Sequence, residues 1–144
     1  MEVLLIDDQA VTVQVYAAIV RKTLSGARVH VAVDLTDGVQ LANGRNVDLV
    51  LLDLMLPNSS GVQTLHKFRK SCPDVPVVIV AASEDEETMR ACLEAGARGY
   101  VPKTSAIGAL GHAVQVVAAG GTYVPPELQK AELKATAKDR KKAG

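Results

Sequence analysis

Asp53 closes an apolar run, Leu49-Val50-Leu51-Leu52, and Pro57 stops the chain four residues later. Asp7 and Asp8 close a second run, Val3-Leu4-Leu5-Ile6, and Lys103 stands just past a third, behind Val101-Pro102. Acids gathered at neighbouring strand ends repel one another, and such a cluster usually persists because a cation neutralises it. An oxygen-only donor set on a partly hydrated, open site suits Mg2+. A carboxylate, a divalent cation and an ammonium around one point form a site for a phosphoryl group. An Asp carboxylate can also attack phosphorus directly and form an acyl phosphate.

That chemistry requires elements that bring the four residues together. The run at 49–52 does not alternate polar with apolar, so both of its faces call for burial, as in a central strand of a parallel sheet. Further strands are expected at Val3–Ile6, at Arg28–Val33 (nearer an edge, since Val alternates there with bases or Ala), at Val77–Val80 running on into Ala81-Ala82, and at Arg98–Val101. Between them lie helices. The first is expected at Ala10–Leu24, with Asp8 as its cap and Val11, Val15, Ala18 and Ile19 facing inward, and Gly26 ends it. The second covers Leu35–Ala42 and the third Val62–Lys70, with Leu65 and Phe68 inward, after a loop at 58–61. Ser83 and Glu86 have the spacing of a capping box for a fourth helix, which ends at Ala95-Gly96. Thr104 or Ser105 caps a fifth, which reaches Gly120-Gly121. Strand–helix alternation with short loops gives a doubly wound (βα)5 domain of the α/β class. The flavodoxin-like strand order 2-1-3-4-5 sets the first and third strands side by side, with Asp7, Asp8 and Asp53 in one crevice at the switch point.

Composition bounds this reading. The chain has 144 residues, 48% of them apolar but only three Tyr, one Phe and no Trp, so its core must be aliphatic. Sixteen bases balance sixteen acids, and no global field points to nucleic acid. Cys72 and Cys92 lack metal-ligand spacing and read as reduced thiols. His30, His66 and His112 fall on three different elements, against a zinc site or a phosphohistidine. No run is long enough to span a membrane and no signal peptide precedes Asp7, so a soluble, cytoplasmic protein is expected. The folded unit is assigned to residues 1–121. Residues 122–144 are assigned to a basic, helix-prone linker or tail in which Lys130, Lys134, Lys138, Arg140, Lys141 and Lys142 outnumber Glu132 and Asp139.

The segments Val3-Leu-Leu-Ile-Asp7-Asp8, Asp53-Leu-Met-Leu-Pro57 with Gly61, Glu94-Ala-Gly-Ala-Arg-Gly-Tyr100 and Val101-Pro-Lys103, in this order and spacing over residues 2–121, resemble the receiver domains of bacterial two-component response regulators. Glu94–Lys103 and Ala119-Gly-Gly-Thr-Tyr-Val-Pro-Pro126 resemble the NarL/LuxR-type subfamily in particular. The resemblance implies that Asp53 is the phosphoacceptor for a sensor histidine kinase and that Asp8 ligates Mg2+ directly. Asp7 would ligate it directly or through water, and the main-chain carbonyl of Met55 would be a further ligand. Lys103 would pair with a phosphoryl oxygen. Tyr100 would be the aromatic switch residue, which moves inward on activation. A receiver would act as a switch rather than an enzyme. Candidate partners are the kinase, a second copy of the chain, and DNA only through a C-terminal DNA-binding domain that the chain, ending at Gly144, does not contain; a receiver fragment of a longer regulator is expected, with a stand-alone receiver as the alternative.

One position departs from the family pattern. Ala81 stands where receivers usually carry a Thr or Ser whose hydroxyl bonds the phosphoryl group and draws in the following loop. Loss of such a charge-assisted bond, worth about 1.5–3 kcal/mol, should weaken coupling to Tyr100 while leaving phosphorylation intact. Ser83, two residues on, could substitute through a shift of the loop; otherwise it is simply the helix cap. The alternative reading is a pseudo-receiver, an interaction module independent of phosphorylation. A haloacid-dehalogenase-like phosphatase is disfavoured because Met55 occupies the place of its second Asp. A dinucleotide-binding protein is disfavoured because Asp7-Asp8-Gln9-Ala10 replaces the Gly-rich turn.

Overall fold

The structure, a computed structural model, describes residues 1–130. In chain order it contains β1 (Glu2–Ile6), α1 (Ala10–Thr23), β2 (Arg28–Ala32), α2 (Leu35–Gly44), β3 (Leu49–Leu52), β4 (Met55–Leu56), β5 (Ser59–Ser60), α3 (Val62–Ser71), β6 (Val77–Ala81), α4 (Glu86–Glu94), β7 (Gly99–Pro102) and α5 (Ile107–Ala118). Five strands form one parallel sheet in the order β2-β1-β3-β6-β7. Counting only these main strands, this is the expected 2-1-3-4-5 order. The register sets Ile6 beside Leu52, so the acids that follow them emerge side by side.

Alternate residues of the central strands feed two cores, as the two-residue strand period requires. Leu4, Ile6, Val50, Leu52, Val77 and Ile79 pack with Leu65 and Phe68 of α3 and with Met89 and Cys92 of α4. Val3, Leu5, Leu49, Leu51, Val78 and Val80 pack with Ala17 and Val20 of α1 and with Leu110, Ala113 and Val117 of α5. Helices therefore cover both faces. Close approach is built in at Gly38 of α2, where a Cβ would overlap the Ile6 side chain. Cys72 and Cys92 are both buried free thiols.

The inward face of α1 is rotated from the expected one. Val11 is 76% and Val15 44% exposed, and Ala18 is exposed too. Of the expected row only Ile19 packs on the core, where it joins Val13, Tyr16, Ala17 and Val20. Both rows share helical spacing, so periodicity alone could not choose between them. The choice came from packing against α5, where Gly111 leaves room beside Ile19 and Thr23.

The loop expected at 58–61 folds into a two-residue antiparallel hairpin, β4–β5, reversed at Asn58 with φ +66. The carbonyl of Leu54 accepts from Gly61 N (2.9 Å) and from the buried Thr64 hydroxyl (3.2 Å), which fixes the backbone that follows Asp53.

Past α5 the chain continues along the sheet. Tyr123 bridges Gly99 in parallel and its N–H donates to Arg98 O at 2.8 Å. Residues 126–130 are helical, and Leu128, 1% exposed, joins the core that contains Met89, Cys92 and Tyr100. The remainder of the expected tail helix lies outside the described residues. No helix among the described residues is long and apolar enough to cross a membrane.

Candidate functional site

The carboxyl ends of β1 and β3 deliver Asp7, Asp8 and Asp53 to one point, with an oxygen from each lying within 4.8 Å of the others. Asp7 and Asp53 are buried, whereas Asp8 is exposed. Their orientation follows from the local backbone. Asp53 Oδ1 accepts from Met55 N (3.1 Å), and Asp7 Oδ1 accepts from Gln9 N (2.9 Å). Each carboxylate is thereby pinned by the turn that its own strand end makes.

Lys103 closes the cluster from the end of β7. Its ammonium donates to Asp53 Oδ2 at 2.9 Å and lies 3.0 Å from Asp7 Oδ2. A third contact runs to Gln9 Oε1 at 2.9 Å. Gln9 was not among the residues picked out from the sequence, although its place directly behind the acid pair was a signal available there. Burial raises the Asp53 carboxyl above its ordinary range, and the hydrogen bonds from Lys103 and Met55 pull it down only in part. Burial works against the Lys103 charge, but its bonds to Asp53 and Asp7 prevail and hold its pKa above the ordinary lysine value.

All donors around the three acids are oxygen, and the exposed Asp8 leaves one side open to water. Magnesium holds its ligands at about 2.1 Å, so opposite oxygens lie about 4.2 Å apart. Adjacent oxygens on such an ion lie about 3.0 Å apart, and the three acids, each with an oxygen within 4.8 Å of the others, are near enough to close on one ion, so the residue types and their grouping fit it. As oxygens of both buried acids already face Lys103, a bound cation would have to share them with the ammonium.

Tyr100 is fully buried in β7 and its hydroxyl donates to Ser83 O at 2.8 Å. The aromatic ring thus lies inward, tied to the loop between β6 and α4. Burial pushes its phenol up to about 12. Ala81, 2% exposed, ends β6, and its carbonyl accepts from Lys103 N at 2.7 Å. No side-chain hydroxyl stands at that position.

Three capping expectations are corrected. The residue capping α1 is Gln9, without a side-chain bond, because Asp7 rather than Asp8 turns back to the backbone and Asp8 faces outward. The cap of α4 is Asp85, whose carboxylate accepts from Thr88 N (3.3 Å) and Thr88 Oγ1 (3.0 Å). Ser83 Oγ accepts from Asp85 N at 3.1 Å, two residues too early to cap the helix. For α5 the cap position is Ala106. Thr104 instead donates its hydroxyl to Glu84 Oε1, across the mouth of the site. The histidines stay apart: His30 faces Glu2 (3.3 Å) on the sheet edge, His112 stands edge-on to Tyr123, and His66 is exposed.

Residues 3–115 match the response regulator receiver domain family. Among curated relatives, the glycerol metabolism activator of Pseudomonas putida is 28% identical over 128 residues, covering 88% of this chain and 58% of its own length. Transcriptional regulatory protein DegU of Brevibacillus brevis is 32% identical over 132 residues, covering 89% and 54%. The chain thus spans less than three-fifths of the length of these two relatives. Among solved structures, a two-component response regulator of the LuxR family from Aurantimonas sp. SI85-9A1 superposes with a TM-score of 0.83 at 25% identity, covering 93% of this chain and 97% of that one.

Proposed function

This chain belongs to the response regulator receiver domain family, and on that premise we propose that it is a phosphoaccepting switch of the NarL/LuxR type whose Asp53 takes a phosphoryl group from a sensor histidine kinase. The observation that carries the reading is the convergence of Asp53 with Asp7, Asp8 and Lys103 at neighbouring strand ends. Asp7, Asp8, Asp53 and the main-chain carbonyl of Met55 would hold Mg2+, which when bound supplies positive charge against the phosphoryl oxygens. An Asp53 oxygen attacks phosphorus, an acyl phosphate bond forms, and the bond to the donor breaks with its electron pair leaving on the donor. Lys103 then turns from the Asp53 carboxylate to a phosphoryl oxygen, offsetting the added negative charge. Tyr100 and the β6–α4 loop carry the change to the surface of α4 and α5. The output is altered docking of protein partners, a second copy of the chain among them. It acts in the cytoplasm on transcription, through a DNA-binding domain not contained in these residues.

The test is intact mass after incubation with Mg2+ and acetyl phosphate. One phosphoryl adduct is expected on the wild type and none on Asp53→Asn. Absence of the adduct from both proteins, with Mg2+ binding demonstrated, would instead favour a phosphorylation-independent interaction module. Ala81 is the residue that speaks for this second reading, because it removes the hydroxyl through which receivers couple site to surface.

A further inference from the structure

Ala81 leaves a gap in the relay between the site and the β6–α4 loop, yet that loop is tied down at two points. From below, the buried Tyr100 hydroxyl donates to Ser83 O at 2.8 Å. From above, Thr104 Oγ1 donates to Glu84 Oε1. Ser83 cannot serve as a replacement relay in this arrangement, because its hydroxyl accepts from Asp85 N at the entrance to α4. We infer that Thr104, through its hydrogen bond to Glu84, carries the state of the phosphoryl site to the β6–α4 loop in place of the hydroxyl missing at Ala81; this rests on the function proposed above and names how that site is read out.

The covalent order of the residues makes the route short. Lys103 holds Asp53, Asp7 and the neutral Gln9 at 2.9–3.0 Å, so it directly meets the charge that phosphorylation adds at Asp53. A phosphoryl group on Asp53 moves negative charge outward from the carboxylate, and the ammonium must follow it. The backbone of Lys103 is anchored to β6 by its N–H on Ala81 O at 2.7 Å, and Ser105 N on Pro102 O at 2.9 Å closes a turn around Lys103 and Thr104, so a displacement of Lys103 is passed within that turn to Thr104. Thr104 is exposed, and among the described residues its side chain bonds only Glu84. Glu84 is followed by Asp85, whose carboxylate caps α4 through Thr88. Pulling Glu84 therefore acts on the first turn of α4 and on the carbonyl that holds Tyr100. Neither Thr104 nor Glu84 touches the acids, so changing them leaves the phosphoryl chemistry in place.

The experiment uses the full chain labelled with 3-fluorotyrosine, the Tyr100 resonance being assigned by its loss in Tyr100→Phe. Mg2+ with beryllofluoride serves as the phosphoryl mimic, and the acetyl phosphate adduct is measured in parallel. In the wild type the mimic is expected to shift the Tyr100 resonance. Thr104→Val and Glu84→Ala are expected to keep adduct yield within about twofold while losing more than half of that shift. Thr104→Ser and Glu84→Gln should retain it, because each preserves the donor or the acceptor oxygen. A full shift in Thr104→Val, no rescue in Thr104→Ser, or a wild-type adduct without any Tyr100 response would each overturn the inference while leaving the phosphoacceptor function standing. Absence of the wild-type adduct would overturn that function and the inference with it.

Discussion

At Tyr100 a phenol is enclosed and given one partner, the Ser83 carbonyl. Burial raises its pKa from 10.0 to about 12, so the folded state favours the neutral form. That contribution to stability is complete below pH 10 and is lost as pH rises through about 12. Urea midpoints measured across this range should fall more steeply for the wild type than for Tyr100→Phe, which has no proton to lose. Ala81 presents the opposite situation, a buried site lacking a polar group. Ala81→Thr is expected to enlarge the Tyr100 response to Mg2+ and beryllofluoride, with a new charge-assisted bond of about 1.5–3 kcal/mol biasing the equilibrium. It should also reduce the effect of Thr104→Val, since two relays then run in parallel; fluorotyrosine spectra of the double variant read this directly. An unchanged response in Ala81→Thr would count against the account of coupling given for residue 81.

Among the elements, the segment after α5 carries more of the fold than its composition suggests. Gly120-Gly121 and Pro125-Pro126 read as breaks, and the immediate neighbours of Leu128 are Glu127, Gln129 and Lys130. In the structure Tyr123 covers the outer edge of β7 and Leu128 fills the core beside the α4 residues. An edge strand left uncovered is open to pairing with other chains, and the bridge at Gly99 meets that hazard at one point. Leu128→Ala should therefore cost about 2–5 kcal/mol, as for a core leucine, rather than the near-zero cost of a linker position. Urea unfolding of the full chain measures it; a change below about 0.5 kcal/mol, the usual range for surface substitutions, would return Leu128 to the linker.

For the molecule as a whole, Lys103 is the cation that, among the described residues, holds two buried acids at the open end of the sheet. Removing it by Lys103→Met leaves Asp7 and Asp53 facing each other unneutralised, a change that costs about 3–5 kcal/mol when a buried pair is broken from one side. Thermal unfolding in EDTA should show that loss. Added Mg2+ should then stabilise the variant more than the wild type, since the metal no longer shares the carboxylates with an ammonium; at a hundredfold excess over Kd, ligand binding stabilises by about 2.7 kcal/mol. Equal Mg2+ shifts in both proteins would mean that Lys103 and the ion do not compete. The sequence by itself determined the strands, their burial on both faces and the acids at their carboxyl ends, because continuous apolar runs and strand-end charges are local; the strand order and the meeting of Asp7, Asp8 and Asp53 were expected from the fold class, and the pairing of β1 with β3 sets them. The sequence also determined that Ala81 lacks a hydroxyl. Only the tertiary structure decided which row of α1 faces inward, where α4 and α5 are capped, that Gln9 joins Lys103, that Thr104 reaches Glu84 and that Leu128 enters the core. Each of these depends on a contact between segments far apart in the chain or on a loop's path, and side-chain types read one at a time carry neither.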